Sequence, residues 1–170
     1  MNPASRLEHS VDRRTLRDAL GRFSTGVAII TTCSRAGKLE GLTANSCSSL
    51  SMDPPLILWS LMNSARSMPS FREAEYFAVN VLAADHIELS RQFSRGRENK
   101  FEGVDYEIGI AGCPILIDAL ATFECRAQER LEIGDHIVFV GAVEQVDCRE
   151  GDPLIFSAGE YCTRRSLHLA

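Results

Sequence analysis

Residues 41–61 read GLTANSCSSLSMDPPLILWSL. The first half alternates small and hydroxyl side chains: Thr43, Asn45, Ser46, Ser48, Ser49 and Ser51. The second half is the apolar run Leu56-Ile57-Leu58-Trp59. Pro54 and Pro55 lie between them. Two successive prolines remove two backbone donors and fix φ, so a central strand cannot pass through them. The stretch therefore reads as strand, turn, strand. A strand so rich in small polar groups buries little apolar area. Either it is an edge strand facing water, or its hydroxyls and amide face a polar ligand that approaches the backbone closely.

Outward from this stretch the chain is β-rich. Val27–Cys33 (VAIITTC) is dense in β-branched residues and reads as a buried strand, followed by a turn at Arg35–Lys38. Tyr76–Ala83 (YFAVNVLA) is a further strand with Asn80 inside it, which needs partners from a loop or a ligand. Ala119–Leu131 and His136–Val146 read as two long strands joined through Glu132–Asp135. Short strands follow at Pro153–Ser157 and Glu160–Arg164.

Three helices interrupt the strands. Asp12 caps the first, over Arg13–Phe23, with Leu16, Leu20 and Phe23 on one face. Ser64 or Ser67 caps the second, within Asn63–Glu75, with Pro69 in its first turn. Asp85-His86-Ile87-Glu88 has the form of a capping box for the third, which runs to Phe93. About seven strands with hairpin-length links favour a mainly β, antiparallel barrel over a βαβ sheet.

The 170 residues suit one domain, 11–170, behind a polar arm at 1–10. A net charge of −5 argues against a bulk nucleic-acid binder. No CxxC pair occurs among the six cysteines, which read as free thiols of a reducing cytoplasm. No apolar run approaches the length of a membrane span, and no secretory signal is visible. There is no GxGxxG after a strand, no P-loop, no HExxH and no GxSxG.

Three stretches carry candidate chemistry. The serine-rich entry to the second helix, with Arg66, could seat a phosphate on unpaired first-turn amides, or could be an ordinary surface helix. Ser94–Gly103 (SRGRENKFEG) is a mobile loop by composition, either a solvated turn or an anion-gripping loop. His136, after Gly134-Asp135, is a turn residue or a ligand-facing one.

Seven stretches, in order, resemble the short-chain flavin reductases, the reductase components of two-component flavin monooxygenases. They are GRFSTGVAIITT (21–32), the opening stretch, FAVNVL (77–82), NKFEGV (99–104), GCPILIDALATFEC (112–125), GDHIVFVGAV (134–143) and PLIFSAGEY (153–161). The resemblance implies an FMN-binding type of split β-barrel, a homodimer with flavin near the subunit interface, and FMN or FAD as the flavin. It implies hydride transfer from NADH or NADPH to flavin and delivery of reduced flavin to a separate monooxygenase. A non-enzymatic flavin carrier or sensor on the same barrel is the alternative, and an oxidase of the pyridoxamine-phosphate type a third reading.

Position by position, the resemblance places Thr43, Ala44, Asn45, Ser46, Cys47 and Ser48 along the flavin ring and ribityl chain. Ser60, Ser64, Arg66 and Ser67 fall on the phosphate side. Phe93, Ser94, Arg95 and Lys100 belong to the loop that closes over flavin. His136 lies by the nicotinamide, and Tyr161 borders the ring. The chain departs from the family pattern at Asn99, where Asp is common, and at Cys47, where the residue is commonly small or hydroxylic. No residue is assigned as a general acid or base, because ring-to-ring hydride transfer needs mainly positioning.

Overall fold

The structure is a computed structural model that describes residues 11–96 and 98–165. The arm at 1–10 lies outside the described residues. The elements in chain order are α1 (Arg13–Leu20), β1 (Thr25–Gly26), β2 (Ala28–Cys33), β3 (Leu39–Ala44), β4 (Ser48–Met52), β5 (Pro55–Met62), α2 (Met68–Glu73), β6 (Tyr76–Val81) and α3 (Ile87–Ser94). They continue with β7 (Tyr106–Ile108), a 3-10 turn (Ile110–Gly112), β8 (Pro114–Leu116), β9 (Ala121–Ile133), β10 (His136–Cys148), β11 (Ile155–Ser157) and β12 (Glu160–Cys162).

Seven strands form one antiparallel sheet in the order β3-β2-β6-β9-β10-β5-β4. The opening stretch is thus three strands, not two. Its hydroxyl-rich half breaks after Ala44 and resumes at Ser48 on the opposite edge of the sheet. Six inter-strand spacings would hold the edges of a flat sheet about 29 Å apart. Four residue steps from Ala44 to Ser48 span at most about 14 Å. The sheet must therefore curl until its edges approach, which makes the half-closed antiparallel barrel expected from the strand pattern. Pro55 opens β5, a position where a missing donor is tolerated.

The barrel interior is aromatic. Trp59 stacks on Phe139 at 4.5 Å and meets Phe71 and Phe77 edge-on at 5.1 and 5.7 Å. Gly141 is required beside them, since a Cβ there would lie 2.4 Å from the Phe77 ring. The stretch from Val27 through β2 serves two cores by its period-two alternation. Ala28 and Ile30 face the barrel interior, while Val27 and Ile29 join Leu82, Phe93, Leu116 and Leu154 beneath α3.

Asn80 is completely buried and finds its partners within the chain. It donates to the Ile29 carbonyl and to Thr31, and it accepts from the Leu116 N–H. Asp12 caps α1, accepting from the Thr15 N–H at 2.8 Å. The helix buries none of its residues, however, so its apolar face does not pack on the chain's own core. The capping box at α3 does not form. The helix begins one residue later, with His86 at the cap position and its Nδ1 accepting from the Ala83 N–H. Ser67 stands at the α2 cap without a side-chain bond, with Pro69 in the first turn.

Candidate functional site

The C-terminal end of α3 organises the site. The last carbonyls of a helix lack full intrahelical partners. Here side chains supply them. The Arg91 carbonyl accepts from Ser94 Oγ at 2.8 Å and the Phe93 carbonyl from Lys100 Nζ at 2.8 Å, while in mid-helix the Ser90 carbonyl also accepts from Thr43 Oγ1 at 2.6 Å. Lys100 Nζ also donates to the Gly41 carbonyl at 2.9 Å, which ties the following loop to β3. Burial holds the Lys100 pKa below the usual lysine value, opposed by the Glu40 carboxylate. Gly41 is a close-approach glycine, because a Cβ there would lie 2.5 Å from Phe93.

Between β3, the β5–α2 link and this loop lies a cavity of about 580 Å³. Lys38, Arg66, Arg95 and Lys100 bring cations to its wall, against the carboxylates of Glu40 and Glu98. In a chain of net charge −5, such a wall concentrates a field that favours an anion. Arg66 Nη1 donates to the Gly96 carbonyl at 3.2 Å, so the two sides of the cavity are joined. Leu61, Ala65, Phe93 and Phe101 give it apolar surface as well. An anionic head attached to a planar, largely apolar body matches this donor set.

The structure brings Thr43, Arg66, Ser67, Phe93, Ser94, Arg95 and Lys100 to that one cavity. Cys47 and Ser48 line a different, apolar cavity of about 450 Å³ with Ala28, Ile57, Val79, Val81, Phe123 and Val143. Ala44 is buried in the barrel core, while Asn45 is exposed in the break. Burial pushes the Cys47 thiol up to about 11, so it is no thiolate at neutral pH. Ser46 lies in the break between β3 and β4, so it shares no strand face with Ala44 and Ser48. Its hydroxyl donates to the Ser60 carbonyl and accepts from the Ser60 N–H, at 3.1 and 3.0 Å. Only one lone pair of Ser46 is left for any ligand.

Ser64 is exposed beyond the end of β5. His136 opens β10 opposite Met62, half-buried, with Nδ1 2.6 Å from Asp135 Oδ1. Tyr161 stands apart from the cavity wall but reaches it indirectly, through Ser90, with its hydroxyl 2.9 Å from Ser90 Oγ. Sequence reasoning missed Gly41, Ser90, Gly96 and Phe101. Gly41 did carry a signal, since a glycine within a strand marks close backbone approach. Among the described residues, no group of three His, Cys, Asp or Glu side chains could hold a metal.

The family profile "Flavin reductase like domain" matches residues 20–165. The FMN reductase (NADH) SmoA of Agrobacterium fabrum is 45% identical over 87% of this chain and 84% of its own length. The reductase component of the flavin-dependent trigonelline monooxygenase of Acinetobacter baylyi is 34% identical over 88% of this chain, which spans only 48% of that protein. Among solved structures, the Streptomyces globisporus NADH:FAD oxidoreductase SgcE6, in complex with NAD and FAD fragments, superposes with a TM-score of 0.84. It is 33% identical over 92% of this chain and 93% of its own.

Proposed function

The chain belongs to the flavin reductase-like family, and on that premise we propose that it oxidises NADH, reduces FMN or FAD, and supplies reduced flavin to a separate monooxygenase component. The observation that carries the site assignment is the cationic cavity at the end of α3. Flavin, once bound, supplies the two-electron acceptor chemistry. The chain's own residues bind and orient. Arg66, Arg95 and Lys100 hold the phosphate side, and Phe93 and Phe101 give the apolar wall. Thr43 spends its proton on the Ser90 carbonyl, so toward a ligand it acts only as an acceptor, suited to a ribityl hydroxyl or a ring N–H. Turnover is favoured over the carrier alternative by relatives that are themselves named reductases. Titrating the protein with FMN and with riboflavin tests the phosphate seat. FMN should bind more tightly at low salt, and the difference should shrink as salt rises. Equal affinity for both at low salt rejects the seat.

His136 is assigned to the nicotinamide side. His136→Ala should raise the KM for NADH about fivefold, the size of one hydrogen bond, with flavin affinity unchanged. Wild-type kinetics with a lowered melting temperature would make it a turn residue held by Asp135.

The protein acts as a homodimer in the cytoplasm. Supporting the dimer, Leu16, Leu20 and Phe23 are 46%, 63% and 79% exposed around an eight-residue helix. Helices that short are not stable without packing. Six free cysteines suit a reducing compartment. No helix among the described residues is long and apolar enough to cross a membrane. Sedimentation should show a dimer, and a Leu20→Asp/Phe23→Asp double substitution should dissociate it. A monomeric wild type at micromolar concentration contradicts this.

A further inference from the structure

Ser90 belongs to no motif and is completely buried on α3. No ligand can reach it. Yet its side chain and its carbonyl are both committed to residues of the site. Its carbonyl takes the Thr43 hydroxyl proton at 2.6 Å, and its Oγ pairs with the Tyr161 hydroxyl at 2.9 Å, where either oxygen can donate. Tyr161 is itself held by its ring, edge-on to Phe156 at 5.5 Å, with the Arg91 guanidinium 6.0 Å from its face.

We propose that Ser90 and Tyr161 are a positioning pair. Their hydrogen bond ties the middle of α3 to β12 and so holds in place the helix whose Ser90 carbonyl takes the Thr43 hydroxyl proton, which fixes the direction in which Thr43 presents its lone pairs to the flavin cavity. The inference rests on the flavin reading of that cavity. It gives Tyr161 a role through its hydroxyl that differs from direct contact with a ring. Three elements far apart in sequence meet at one serine, and the C-terminal β11–β12 hairpin is thereby coupled to the cavity wall. Losing the Ser90–Tyr161 bond leaves the Thr43 hydroxyl in place chemically but loosens the seating of the helix that carries its acceptor carbonyl.

The test uses Ser90→Ala, Tyr161→Phe and the double variant in the full chain, read by flavin fluorescence titration, by steady-state kinetics and by thermal melting. Each single variant should weaken flavin binding about fivefold, the size of one neutral hydrogen bond. The KM for flavin should follow, with kcat within about twofold, since binding and not the transition state is affected. The double variant should be no weaker than the worse single one, because both substitutions remove the same bond. Thr43→Ser should bind nearly as wild type and Thr43→Val should not. If Ser90→Ala fails to fold, Tyr161→Phe decides alone, since its ring keeps its packing. Wild-type flavin affinity in Tyr161→Phe, a lowered melting temperature without a change in affinity, or additive losses in the double variant would overturn the proposal. A wild-type protein that binds no flavin would overturn the parent reading, and this one with it.

Discussion

Gly41→Ala is expected to melt several degrees below wild type and to lose most of its flavin affinity. The added methyl would lie 2.5 and 2.8 Å from two carbons of the Phe93 ring and 3.3 Å from Phe101. Phe93 cannot swing aside. It is fully buried and edge-on to Phe101 at 5.0 Å, and Phe101 in turn meets Tyr106 at 5.3 Å. Overpacking of this kind costs about 1–3 kcal/mol. For a domain of this size that is roughly 2–10 °C in melting temperature. Flavin binding should fall further than stability, because Lys100 is anchored on the carbonyls of Gly41 and Phe93. Gly26→Ala is the matched control. Nothing lies within 4 Å of a Cβ at Gly26, so its melting temperature should stay within about a degree of wild type. Melting curves and flavin titrations of the pair check this, and indistinguishable variants would contradict the packing described around Gly41.

Lys100→Met should lower flavin affinity tenfold or more. The substitution keeps the stem and removes the ammonium. Two carbonyls then lose a charged partner, at about 1–3 kcal/mol for each group left unsatisfied. The cavity wall also loses one of the cations that the described residues bring to it. Arg95→Ala makes a useful comparison, since Arg95 is exposed at the rim and should lose less. The gap between the two variants should persist at high salt, because the Lys100 effect is mainly one of short, half-buried hydrogen bonds. Equal losses for both, vanishing together with salt, would make Lys100 a diffuse charge and not an anchor.

Much of the sheet could be read from the chain. The β-branched run of β2 and the long β9–β10 hairpin announced themselves, because buried strands demand such side chains and a two-residue turn with Gly134 at positive φ closes the pair. The break between Ala44 and Ser48 was not legible. Alternating Ser, Asn and Thr carry no apolar face, so one strand and two strands on opposite edges look alike until the partners are known. β7 and β8, of three residues each, are too short for periodicity to show. At α1 the period placed Leu16 and Leu20 together but carried the helix on to Phe23, past its end at Leu20, and could not say that the described residues leave these side chains exposed. The cationic side of the site, Arg66, Arg95 and Lys100, was legible through the family resemblance and its charge. Ser90 was not. Its role depends on Thr43 and Tyr161, 47 and 71 residues away, and nothing local distinguishes it from any helical serine.

The most direct test of the central claim is the absorbance of NADH when the purified protein is mixed with NADH and either FMN or FAD, first without oxygen. Loss of NADH, dependent on both protein and flavin and accompanied by bleaching of an equivalent amount of flavin, is the expected result. Tight flavin binding with no acceleration of NADH loss, at saturating FMN and at saturating FAD, would show a flavin-binding protein that is not a reductase.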